Sequence, residues 1–138
     1  MAHLRSIRVG LAVGILGLWA CGPGASTPEG IARRFMDRYY VAIDLRGARE
    51  LCTGLALSKI DQQLELTRGV EINLDTRKPD VRYRLVDFKE RGKLRKVFLF
   101  EGEVRVPKAG TYKKRCLITL REKGGAWKVS NFADQDTS

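Results

Sequence analysis

The chain has 138 residues, and its 26 lysines and arginines against 16 aspartates and glutamates give a formal charge of +10. That length carries one domain around one core. The single histidine, His3, stands in the first few residues, so the rest of the chain excludes a Ser-His-Asp or Cys-His nucleophile, a histidine-bound metal and a histidine proton carrier.

Met1 to Gly10 carry Arg5 and Arg8 and no acid, and an apolar run follows to Ala20. This is the layout of a signal peptide. Counted from Val9 the run covers roughly 18 Å as a helix, short of the about twenty residues a bilayer requires, so a spanning helix is not expected. The run closes on Leu18-Trp19-Ala20-Cys21. Apolar residue, filler, small residue and cysteine in that order resemble the lipobox of bacterial lipoprotein precursors, with Trp19 where the family usually has a small filler. The resemblance implies cleavage before Cys21, a lipid thioether on its sulfur and an acyl chain on its new amino group. The plainer alternative is a secretory signal in which Cys21 is incidental. Two or three acyl chains hold firmly, at about 0.8 kcal/mol per buried CH₂, where one alone is marginal. Loss of residues 1–20 removes two basic side chains and no acid, leaving 24 against 16 and a charge of +8. Gly22 is not the aspartate that marks inner-membrane retention in many diderm bacteria, so the expected place is the periplasmic face of an outer membrane where the host has one.

Residues 21–27 form the lipidated cysteine and a small, polar tether, and residues 28–133 a single domain. Ser26 or Thr27 can cap a helix that has Pro28 at its first position and Glu29 in its first turn. At 100° per residue Ile31, Ala32, Phe35, Met36, Tyr39, Ala42 and Ile43 share one arc, while Arg33, Arg34, Asp37 and Arg38 oppose it. Asp44 can cap a shorter helix with Leu45, Ala48, Leu51 and Cys52 on one face and Gly54 as its stop. A third helix is expected from about Leu55 to Arg68, with Leu57, Ile60 and Leu64 at helical spacing. After it, Val70, Ile72 and Leu74 alternate, as a last helical turn or a short strand.

From Val81 the period changes to two. Val81, Tyr83 and Leu85 alternate with Arg82 and Arg84, then the phase flips to Val86 and Phe88, the mark of a bulge in a bent strand. Turn signals at Glu90-Arg91-Gly92-Lys93, Pro107-Lys108-Ala109-Gly110 and Lys123-Gly124-Gly125 separate strands at about 81–89, 94–106, 111–122 and 126–133. Phe98, Phe100, Val104 and Val106 share a face of the second, Cys116, Ile118 and Leu120 of the third, and Trp127 and Val129 of the fourth. Residues 134–138 are left as a polar tail. About three helices followed by an antiparallel meander predict an α+β domain, helices on one face of a curled four-stranded sheet.

The helix Pro28-Glu29-Gly30-Ile31-Ala32-Arg33-Arg34-Phe35-Met36-Asp37-Arg38-Tyr39-Tyr40, the short helix after Asp44 and the closing Gly124-Gly125-Ala126-Trp127-Lys128-Val129-Ser130-Asn131-Phe132 resemble the nuclear transport factor 2-like, or SnoaL-like, α+β cone. The likeness covers roughly Thr27 to Phe132. Isomerases, cyclases, dehydratases, binding domains and assembly domains all use this fold, so it does not decide activity.

An enzyme in such a cone needs an inward base and proton donor, and Tyr39 with Asp37 or Asp87 are the available types. Asp37 lies about 160° from Tyr39 around a straight helix, so the two cannot both face inward. Asp87 stands between Val86 and Phe88 and points away if both are inward. No catalytic residue, cofactor or metal is therefore expected. Phe35, Tyr39, Phe98, Phe100 and Trp127 could line a pocket for a hydrophobic ligand, though a domain this small needs such rings for its core. Cys52 and Cys116 are an even pair in an oxidising compartment, yet a helix facing a sheet leaves a pair about 7.7 Å apart, beyond disulfide reach. Two small buried thiols are the favoured reading, with a disulfide as the alternative. Lys113-Lys114-Arg115 and Arg91, Lys93, Arg95 and Lys96 concentrate positive charge near strand ends. They form a solvated face or a contact for anionic lipid or polymer. Nucleic acid is not an expected partner. The expected protein is a membrane-anchored envelope lipoprotein that binds or scaffolds a partner without chemistry.

Overall fold

A computed structural model describes Gly24, residues 26–69 and residues 79–137. The expected leader, Cys21, and the alternating Val70, Ile72 and Leu74 lie outside the described residues.

Thr27 opens α1 (Pro28–Phe35), its hydroxyl oxygen accepting from the Gly30 amide at 3.1 Å. Pro28 takes a position whose amide would be unpaired anyway, and Glu29 meets Arg33 at 3.6 Å one turn on. The predicted stripe buries Ile31, Ala32, Phe35 and Met36. Past Phe35 the helix widens into a π-helical segment, Met36–Val41, which ends with the Ala42 amide donating to the Asp37 carbonyl five residues back. Wider turns rotate the following side chains relative to a regular helix. Tyr39 and Tyr40 are therefore half-buried, while Ala42 and Ile43, expected on the buried arc, are exposed.

Asp44 caps α2 (Leu45–Arg49), accepting from the Gly47 amide at 2.9 Å. The helix stops well before Gly54, the residue expected to end it. Leu51 and Cys52 leave it to pair with the last strand: the Val129 amide donates to the Leu51 carbonyl, and the Thr53 amide to the Val129 carbonyl, each at 2.8 Å. Sheet hydrogen bonding here replaces another helical turn. Gly54, with φ of +55°, instead turns the chain into α3 (Gly54–Leu66), which buries Ala56 and Ile60.

Four strands follow as an antiparallel meander in sequence order: β1 (Asp80–Glu90), β2 (Arg95–Val106), β3 (Gly110–Lys123) and β4 (Ala126–Thr137). Leu85 pairs with Phe100 and Asp87 with Leu99, so Val86 is the extra residue of a bulge. Phe88 returns to the face of Phe98, with the two rings 5.0 Å apart, but both it and Val86, expected on the apolar face, are exposed. A second bulge sits at Ser130, between the pairs Thr119–Asn131 and Leu120–Val129. It carries the apolar face of β4 from Val129 to Phe132, both buried. β4 then runs on through Asp134, Gln135 and Asp136 to Thr137, so the expected polar tail is strand, paired with Cys116 back to Lys113.

All three helices pack on one face of the curled sheet, and the core lies between them. Phe98, Phe100, Ile118, Leu120, Val129 and Phe132 come from the sheet side. Each such side chain contributes roughly 1.5–3 kcal/mol by leaving water. Among the described residues no helix is long and apolar enough to cross a membrane.

Candidate functional site

The five aromatic residues proposed as a pocket lining separate into core and rim. Phe35, Phe98 and Phe100 are at most 3 % exposed and fill the space a ligand would need. The Phe35 ring stacks on Tyr39 at 5.3 Å and meets Phe132 at 5.0 Å. Trp127 is half-buried beside the core, with the Lys96 ammonium 5.4 Å from its ring centre. Tyr39 alone of the five lines an open groove, and it does so from the wall that the π-helical segment turns outward.

That groove has a volume of about 480 Å³. Tyr39, Ile43, Leu45 and Leu66 make an apolar wall, and Tyr40, Gln63, Lys114 and Asp134 make its polar end. Gln63 brackets the Tyr39 hydroxyl, Oε1 accepting at 2.9 Å and Nε2 lying 2.6 Å away. The Tyr40 hydroxyl donates to Asp134 at 3.3 Å. Lys114 reaches Asp134 at 3.2 Å and Asp136 at 3.5 Å. Burial pushes the Tyr40 phenol well above its ordinary range, with the Cys116 thiol and the Asp134 carboxylate adding to it, so it stays a donor. Burial also raises Tyr39, against the Gln63 hydrogen bond. Burial lowers Lys114, but hydrogen bonds and attraction from its two aspartates outweigh it and leave the ammonium raised. The polar end is thus a fixed set of tyrosine donors and one cation between two carboxylates.

Sequence reasoning found Tyr39 and missed its neighbours. Asp134 and Asp136 continue the alternation from Phe132, and Lys114 is in phase with Cys116, Ile118 and Leu120. Read at period two through 136, those positions would have met on one face. Lys113-Lys114-Arg115 is accordingly not one basic patch: Lys114 faces the groove while Lys113 and Arg115 are exposed on the other side. In the second basic run, Lys96 turns inward over Phe88 and Trp127 and pairs with Glu90 at 3.3 Å, while Arg91, Lys93 and Arg95 are exposed.

The acids weighed for catalysis stand outside. Asp37 is exposed and accepts from the Tyr83 hydroxyl, which burial and that carboxylate hold above its ordinary pKa. Asp87 is exposed and accepts from the Phe88 amide at 2.8 Å. Cys52 and Cys116 are separate free thiols, both buried. Cys52 is bridged to Val129, whose partner Leu120 stands four residues along β3 from Cys116. At about 3.3 Å per residue that is roughly 13 Å, too far for a disulfide. Burial pushes Cys52 up to about 12 and Cys116 up to about 11.

No protein-family model and no curated protein sequence matches the chain. Solved structures similar in fold include the following two. A ketosteroid isomerase-like protein from Erwinia carotovora atroseptica superposes with a TM-score of 0.58 at 12% identity, over 85% of this chain and 98% of that one. A domain of unknown function with a cystatin-like fold from Nostoc punctiforme gives 0.55 at 8% identity, over 78% of this chain and 74% of that one. Helices on a curled four-stranded antiparallel sheet agree with these neighbours and with the nuclear transport factor 2-like cone expected from sequence. At such identities the likeness is one of fold.

Proposed function

We propose that the protein is an exported lipoprotein, acylated on Cys21, whose cone domain binds a partner at the envelope without transforming it. The observation that carries the binding reading is the filled interior beside an open groove. Phe35 and Phe100 are wholly buried where a cone enzyme would hold its substrate, and the groove between Tyr39 and Asp134 opens to solvent. Its apolar wall and polar end suit an amphipathic occupant, with apolar burial supplying affinity and the tyrosine hydroxyls and Lys114 fixing orientation. The anchor rests on Leu18-Trp19-Ala20-Cys21 at the end of an apolar run. Intact-mass measurement of protein from its native cells is expected to give a chain starting at Cys21 plus acyl mass, and Cys21→Ser is expected to leave the membrane fraction. Full-length translated mass, or a trimmed chain without acyl mass, overturns the anchor.

A second reading is isomerase-like proton transfer in the groove, favoured by the ketosteroid isomerase-like neighbour and by Asp134 standing beside Tyr40. Against it, Asp134 is exposed and already engaged by Lys114 and Tyr40. A general base works by being within reach of the proton it takes, so Asp134→Asn separates the readings. Loss of turnover on a groove-bound ketone with binding retained supports chemistry; a change in binding alone supports the non-catalytic domain.

A further inference from the structure

On the sheet face away from the helices, Arg95 of β2 stands directly opposite Arg121 of β3, and Arg121 opposite Lys128 of β4. Three strands present a row of three cations with no acid among them. Directly opposed residues have Cβ atoms roughly 5 Å apart, and like charges at that spacing destabilise a sheet. Other rows of the same face mix signs: Arg84 meets Glu101 at 3.3 Å, and Glu103 lies between Arg82 and Lys113. Lys128 is relieved, because its ammonium donates to the Glu50 carbonyl at 2.9 Å. Neither Arg95 nor Arg121 has an ion-pair partner among the described residues.

Both guanidiniums, together with Lys123, line a groove of about 650 Å³ distinct from the one at Tyr39. Thr53, Thr119, Ser130 and Asn131 supply hydroxyls and an amide along it, and Glu122, half-buried opposite Trp127, is the one carboxylate among these lining residues, against three cations. The Thr53 side chain makes no hydrogen bond to the first turn of α3. Two guanidinium forks and an ammonium offer more donors than the two oxygens of a carboxylate can accept, whereas a phosphate monoester brings three oxygens and nearly two negative charges.

We propose that this groove is a binding site for a phosphate group, held by Arg95, Arg121 and Lys123 and carried either on a lipid headgroup or on a soluble compound. The anion would neutralise the opposed arginines, so its binding and the stability of the sheet are linked. The site does not depend on the reading of the Tyr39 groove.

The test uses the full-length protein in a neutral detergent, with inorganic phosphate as probe at matched ionic strength. Calorimetric titration is expected to show binding that Arg95→Gln and Arg121→Gln each weaken about tenfold, the scale of one lost charge-assisted bond. Lys113→Gln, the same charge change on the same face outside the groove, is expected to alter it less than about twofold. Without phosphate, Arg121→Gln is expected to melt above the wild type, because the repulsion is gone, and a given phosphate concentration then raises its melting temperature less than that of the wild type. Adsorption to phosphatidylcholine vesicles carrying phosphatidic acid separates the sources. A matching loss in Arg121→Gln assigns a lipid headgroup, and a loss confined to free phosphate assigns a soluble phosphate compound. No phosphate binding by the wild type, or an equal loss in Lys113→Gln, overturns the site.

Discussion

Ile43 is a β-branched residue at φ +54°, set between the π-helical segment and the cap of α2. A branched side chain in the left-handed region costs roughly 1–2 kcal/mol through its clash with the following carbonyl. Its side chain is 40 % exposed on the groove wall, so little burial offsets that cost. Ile43→Gly is accordingly expected to raise stability by about 1 kcal/mol in urea melts while weakening whatever occupies the groove. An unchanged or lower midpoint would sink the argument. Nothing in the local spelling marks Ile43: at 100° per residue it belongs with Phe35 and Tyr39, and only the widened turn from Met36 moves it out. The same rotation delivers Tyr39 and Tyr40 to the groove, which is why half of that site was not legible from helical periodicity.

At the scale of elements, two local devices permit sharp tests. Gly47 lies inside α2, where Gly→Ala ordinarily stabilises by up to about 1 kcal/mol. Here an added Cβ would lie 2.1 Å from Asp44 Oδ2, so the cap that holds the helix start must give way. Gly47→Ala is expected to destabilise by about 1 kcal/mol, near the value of Asp44→Ala, and to become neutral or stabilising once Asp44 is already alanine. Thermal melts of the four-member cycle read that sign change. In β1 the pairs on either side of Val86 stay on their proper faces, so deleting Val86 leaves Leu85, Asp87 and Phe88 in regular alternation. That deletion is expected to fold with a straighter strand, whereas deletion of Leu99 in β2, whose register with β3 has no bulge to absorb it, makes Phe98 and Phe100 adjacent, forces one of these buried rings outward and is expected to abolish folding. Circular dichroism of the two deletions decides it. The bulge at Val86 could be read because Leu85 and Val86 are adjacent apolar residues in a strand. The bulge at Ser130 could not, since Val129 and Phe132 are separated by two polar residues that equally suit a strand's end. Losing phase there is what hid Asp134 and Asp136 as strand residues.

For the whole molecule, burial has left acidic groups that resist ionisation above neutral pH and no histidine after His3 to titrate near it. Cys116 rises from 9.0 to about 11 and Cys52 to about 12, in each case mainly because burial penalises the thiolate. Tyr39, Tyr40 and Tyr83 shift upward for the same first reason. A folded-state pKa above the unfolded one means the unfolded chain releases protons first as pH rises. The stabilisation from the two thiols is therefore complete below about pH 9 and disappears as pH climbs through 11 to 12, while that from the tyrosines persists to higher pH. Cys116 and Cys52 together account for a few kcal/mol of that loss, since one pKa unit corresponds to about 1.4 kcal/mol. Urea midpoints are expected to hardly move between pH 6 and 8 and to fall steeply above pH 9, where the buried thiols begin to ionise in the unfolded chain. Cys52→Ala with Cys116→Ala starts from lower stability, because two well-packed side chains are trimmed, but it is expected to lose less on going to alkaline pH. If the double variant falls as steeply as the wild type between pH 9 and 10.5, the thiols are not the groups that set the alkaline limit.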